Sequence, residues 1–132
     1  MRVAKLSLLP VALVLPTIAE GSGADRSAPP NAQMIAVIEK ALALPPGSRP
    51  LITYVRYYGF ERVGPSSTKR LIIRGLLVQA GLNMGRLNRR PGAYGLKSVP
   101  YSPIMDGGCQ VVHVYFDPAR QKVLRTMCNG EA

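Results

Sequence analysis

The sequence predicts an α+β domain: one N-terminal helix packed on a mainly antiparallel four-stranded sheet that ends in a C-terminal hairpin, the whole following a signal peptide. Three observations predict it. Apolar residues recur at helical spacing after Asn31, four later stretches are β-branched and aromatic, and no strand–helix–strand repeat argues for a parallel sheet.

The first 24 residues, MRVAKLSLLPVALVLPTIAEGSGA, carry Arg2 and Lys5, then a mainly apolar run from Leu6 to Ala19, then small residues. That order is a secretory signal peptide, with cleavage after Ala24 (Ser22 at −3) or after Ala19 (Thr17 at −3). An uncleaved anchor needs about 20 apolar residues. The run here is 14 long and holds Pro10 and Pro16. No cysteine lies near the cleavage region for lipid attachment. The expected product is a secreted or periplasmic protein without a stable membrane anchor.

Cleavage after Ala24 leaves 108 of the 132 residues, enough for one compact domain over residues 31–132. It also keeps 15 of the 17 Lys and Arg and 6 of the 7 Asp and Glu, a net charge of +9. Such a field favours lipid phosphates, nucleic acid or acidic polymers and disfavours basic partners, although net charge also serves solubility alone.

Residues 25 to 30, Asp-Arg-Ser-Ala-Pro-Pro, read as a flexible leader. The helix then begins at Asn31, an acceptable N-cap. Met34, Ile35, Ile38, Ala41 and Leu42 form its apolar face, Gln33, Glu39 and Lys40 lie mainly on the other side, and Pro45-Pro46-Gly47 ends it. Residues 49 to 61 alternate as a strand, setting Leu51, Thr53, Val55 and Tyr57 against Ile52, Tyr54, Arg56 and Tyr58. Tyr54, Tyr58 and Arg56 therefore share a face, which is either packed or a recognition surface. Residues 69 to 79 form the next strand, where Gly75 marks a bulge or a close backbone approach.

The stretch from Gly81 to Gly108 is long for a structureless connection, which points to function or to a hidden element such as a short strand within residues 93 to 99. It carries Arg86, Arg89, Arg90 and Lys97 with no acid before Asp106, and Tyr94 and Tyr101 lie among them. Guanidinium forks beside aromatic faces suit phosphate or carboxylate groups, so Arg86, Arg89, Arg90, Lys97 and Tyr94 are the anion-binding candidates. The spacing matches no phosphate-binding glycine loop and no nucleic-acid motif, and the plain alternative is a solvated basic loop.

Residues 110 to 116 and 121 to 127 make a hairpin around Asp117-Pro118, a pair suited to a type I turn. With Pro118 and Ala119 as the loop, Cys109 stands directly opposite Cys128. These are the only cysteines of the chain, and in an exported protein they pair as a disulfide. A zinc site lacks ligands, since only His113 is at hand and no Cys-x-x-Cys occurs. No metal and no cofactor are implied.

His113 is the sole histidine and the weak candidate for catalysis, with Asp106 and Glu61 as possible partners. No serine stands in a Gly-x-Ser-x-Gly elbow. The function expected is a non-enzymatic binding or accessory protein whose basic surface meets an anionic envelope component or polymer. The alternatives are a phosphodiester-cleaving, toxin-like enzyme using His113 and an inhibitor acting by protein–protein contact.

Overall fold

The computed structural model describes residues 28–130. The expected signal peptide and the first leader residues, 25–27, lie outside the described residues.

The helix α1 spans Ala32–Ala41, and the Asn31 side chain caps it by accepting from the Met34 N–H at 2.9 Å. Ile35 and Ile38 are buried beneath it. Five strands follow: β1 (Tyr54–Val63), β2 (Arg70–Gln79), β3 (Gly92–Gly95), β4 (Gly108–Asp117) and β5 (Lys122–Asn129). They form one sheet in the order β3-β1-β2-β4-β5, antiparallel throughout except that β3 runs parallel to β1. The sheet is therefore five-stranded and mixed, where four mainly antiparallel strands were expected. The added strand is the one hidden in the long connection. It has four residues with glycine at both ends, too few for alternation to register. β1 also starts later than its sequence suggests, because Leu51–Thr53 turns as a 3₁₀ segment behind Pro50.

From Tyr54 onward the alternation holds, and it sorts the sheet into two buried faces. Tyr54, Tyr58, Ile73, Leu77, Val112, Val114 and Phe116 pack with Ile35 and Ile38 under the helix. Val55, Tyr57, Leu76, Val78 and Val111 face the other way, and the connection between β2 and β4 covers them with Met84, Leu87, Leu96, Val99 and Ile104. The connection, for which a solvated basic loop was the plain alternative, is thus the second layer of the core.

Tyr54, Arg56 and Tyr58 are buried and so do not form a recognition face. Arg56 donates from Nε to Glu39 Oε1 at 2.6 Å and from Nη1 to the Leu51 and Tyr54 carbonyls, while Tyr58 Oη donates to the same Glu39 oxygen at 3.1 Å. Glu39 therefore turns toward the sheet rather than away from it, because a buried guanidinium needs an anion. Burial, with the Glu39 charge and hydrogen bond adding to it and Arg56 opposing, holds the Tyr58 phenol well above its ordinary range.

Gly75 serves the close approach and not a bulge. A Cβ there would lie 2.9 Å from Tyr58 Cε1 and 3.0 Å from Val114 Cβ.

The hairpin turn is longer than its expected two residues. Asp117 Oδ1 accepts from the Ala119 and Arg120 N–H groups at 3.0 and 3.2 Å, Gln121 takes φ 51°, and Asp117 pairs with Lys122. Together with a further register shift between Tyr115 and Phe116, this sets Cys128 opposite Val112, so the expected direct opposition of the cysteines is lost. An irregularity between Gly108 and Val112 restores their proximity by bringing Cys109 within 4.5 Å of Cys128, Cα to Cα, where the disulfide forms. Tyr54 Oη fixes this bulge from inside the core by donating to the Cys109 carbonyl at 2.6 Å.

Candidate functional site

The second face carries the candidate site. Tyr57 and Tyr94 are cross-strand neighbours in β1 and β3, and their rings lie 5.8 Å apart. Tyr57 is fully buried, its hydroxyl donating to the Leu87 carbonyl, and Tyr94 Oη donates to the Arg90 carbonyl at 2.9 Å. Two tyrosines on neighbouring strands thereby tether both ends of the segment 87–90. Arg89, held between these tethers, lays its guanidinium 4.8 Å from the Tyr94 ring centroid and 5.9 Å from that of Tyr57. Burial raises the Tyr57 phenol above its ordinary value, with Arg89 opposing the rise and Tyr94 adding to it. The hydroxyl stays protonated and keeps its bond to Leu87.

Beside the stack, a cleft of about 260 Å³ opens between the end of β2 and the following turn. Val55, Val78, Leu82, Met84 and Leu87 give it apolar walls, and Asn83, Asn88 and Arg89 belong to its polar lining. Both asparagines shape the turn: Asn88 Oδ1 accepts from the Met84 N–H at 2.8 Å and Asn83 Oδ1 from the Gly85 N–H at 3.3 Å.

Of the five anion-binding candidates, the structure joins Arg89 and Tyr94. Arg86, Arg90 and Lys97 are exposed, and among the described residues they join neither ring. Among the described residues no carboxylate forms an ion pair with any of these four cations. Glu39, Glu61 and Asp117 are instead engaged by Arg56, Arg74 and Arg120, at 2.6, 2.8 and 3.9 Å. Tyr57 is the site member that sequence reasoning left out, although the alternation of β1 already placed it on the face opposite Tyr54 and Tyr58.

A second charged cluster lies further along the same face. Arg74, buried, meets Glu61 Oε2 in ion-pair contact without hydrogen-bond alignment at Nε, donates from Nη2 to the Val99 carbonyl, and stacks 4.8 Å from the exposed Tyr101 ring. Glu61 is thus committed to Arg74. His113 is half-buried, with Nε2 3.1 Å from Asn129 Oδ1, and Asn129 Nδ2 donates onward to the Ile104 carbonyl at 2.5 Å. This arrangement anchors the covering segment to β4 and β5. No cluster of three or more His, Cys, Asp or Glu side chains that could hold a metal occurs among the described residues.

The Cys109–Cys128 bridge fits an oxidising, non-cytoplasmic setting. No helix among the described residues is long and apolar enough to cross a membrane. Compared with family models, curated proteins and solved structures, the chain matches none of them.

Proposed function

We propose that this is an exported, non-enzymatic binding protein whose basic second face holds an anionic envelope component or polymer, with Arg89 as the principal contact. The observation that carries this reading is Arg89 itself: a residue of the cleft lining whose guanidinium stacks on Tyr94 and Tyr57, with no carboxylate paired to it among the described residues. A cation held on aromatic faces loses less rotamer freedom on binding than one on a mobile stem, so it discriminates geometry as well as charge. Arg86, Arg90 and Lys97 add to the local field and strengthen attraction at low salt. The hydrolytic alternative draws less support, because the histidine it needs is engaged by Asn129 and one of its two candidate acids by Arg74.

The test is binding of the oxidised protein to anionic lipids, acidic glycans and nucleic acid across a salt series, beside an Arg86→Ala, Arg89→Ala, Arg90→Ala triple variant and Arg89→Ala alone. Selective binding to one class, mostly lost in Arg89→Ala while the variant stays folded, is the expected result. Indiscriminate binding that vanishes at moderate salt and ignores Arg89 overturns the reading.

A further inference from the structure

We infer that the cleft beside Arg89 takes a small anionic amphiphile, a phosphate or carboxylate borne on an apolar chain. The inference rests on the reading of Arg89 above and adds a ligand class to it. Its basis is the hydrogen-bonding polarity of the cleft. Asn88 Oδ1 and Asn83 Oδ1 each accept from a backbone N–H of their own turn, at 2.8 and 3.3 Å. Those bonds also fix which way each amide points, so both asparagines present NH₂ donors outward. Arg89 contributes donors only. Three side chains of the lining therefore offer N–H groups, and each asparagine oxygen already accepts one bond, a set that suits an oxyanion better than a neutral hydroxyl. Gln79, whose amide donates to Thr53 Oγ1 at 3.0 Å, adds a side-chain acceptor oxygen to the lining.

The remaining walls are chemically different. Val55, Val78 and Met84 are buried side chains of the core, and Leu82 and Leu87 are half-buried, so the cleft cuts down to the hydrophobic layer itself. A bare oxyanion would satisfy the rim and leave this depth to water. An oxyanion carrying an alkyl group fills both, and the volume of about 260 Å³ limits that group to a short chain or a chain end. A polyanion meets the rim but brings nothing for the interior.

The experiment titrates the oxidised protein by calorimetry with inorganic phosphate, then with butyl, hexyl and octyl phosphate and octanol, each below its aggregation limit. Affinity is expected to climb by up to about fourfold for each buried methylene until the cleft is full, and octanol is expected to bind far more weakly than octyl phosphate. Arg89→Gln and Asn88→Asp are each expected to weaken octyl phosphate about tenfold or more. Asn88→Asp is the sharper probe, since a carboxylate still accepts from the Met84 N–H and so keeps the turn while replacing a donor by a negative oxygen. Vesicles of phosphatidylglycerol separate the two sources of such a ligand: binding to them assigns the headgroup of a membrane lipid, and binding of the soluble alkyl phosphates alone assigns a free one. If affinity is independent of chain length yet still falls in Arg89→Gln, the amphiphile is refuted and the anion site stands. If no phosphate depends on Arg89, both fall.

Discussion

Replacing Glu39 by Gln is expected to cost about 2–3 kcal/mol of stability. The carboxylate receives Arg56 Nε at 2.6 Å, Arg56 Nη2 at 3.5 Å and Tyr58 Oη at 3.1 Å, so a single side chain of α1 neutralises a buried cation and satisfies a buried phenol. Breaking a fully buried pair by removing one partner costs about 3–5 kcal/mol, because the other charge is left uncompensated. Two features lower that figure: the Glu39 side chain is 21% exposed, and Arg56 keeps its bonds to the Leu51 and Tyr54 carbonyls. The amide oxygen of Gln also still accepts one bond. Urea unfolding at pH 7, followed by far-ultraviolet circular dichroism, reads the loss as a fall of about 1–2 M in the midpoint at unchanged slope. The triple variant Glu39→Leu, Arg56→Met, Tyr58→Phe removes every partner together and is expected within about 1 kcal/mol of the parent, as replacement of buried ion pairs by apolar groups often is. The reasoning is refuted if Glu39→Gln costs under about 0.5 kcal/mol, the figure of a surface pair, or if the triple variant is less stable than Glu39→Gln. The anion binding proposed for the opposite face of the sheet is expected to be unchanged in both variants.

Gly75→Ala places a methyl 2.9 Å from Tyr58 Cε1, so overpacking of about 1–3 kcal/mol should exceed the gain of about 0.4–1 kcal/mol from a stiffer unfolded chain; the penalty should shrink in a Tyr58→Leu background, as a double-mutant cycle in urea would show. Alkaline pH should destabilise the fold through Tyr57 and Tyr58, whose pKa values are raised on folding: the stability they lend is full below their unfolded value of about 10 and is lost as pH rises from there toward the folded values. Thermal unfolding from pH 8 to 11 should therefore decline more gently in Tyr58→Phe than in the parent. Replacing both Cys109 and Cys128 by Ser should cost about 3 kcal/mol, the scale for a closed loop with a sequence separation of 19, and reducing agent should have that effect on the parent and none on the variant.

Most of the scaffold is legible in the sequence because it rests on local signals. Asn31 with the spacing of Ile35 and Ile38 specifies α1, and alternation from Tyr54 onward specifies which β1 side chains share a face. What failed depends on contacts that periodicity does not carry. Gly92–Gly95 becomes a strand only because β1 offers a free edge to it. Glu39 belongs by helical phase to the flank of α1, and the buried Arg56 draws it inward. The hairpin register turned on Asp117 closing a four-residue turn and on a bulge beside Cys109, so the disulfide was reached by a different geometry from the one its spacing suggests. Within the site, Arg89 and Tyr94 were legible as a basic and aromatic cluster, whereas selecting Arg89 over Arg86 and Arg90 required knowing that Tyr57 and Tyr94 hold both ends of the segment between them.

The distribution of the acids explains why that segment presents cations to solvent. Glu39 is taken by Arg56 beneath the helix, Glu61 by Arg74 under Tyr101, and Asp117 serves its own turn and Arg120. Asp106 lies elsewhere, with its Oδ1 beside Gly130. The arginines of the covering segment are therefore left without an internal counter-ion among the described residues, yet the segment is not free to swing, because Met84, Leu87, Leu96, Val99 and Ile104 bury it against the sheet. Burial that holds the backbone and charge that finds no partner within the fold are opposed requirements for stability alone. On the proposed reading, an external anion would meet both at once, since it would neutralise charge already held in place and give up little entropy in doing so.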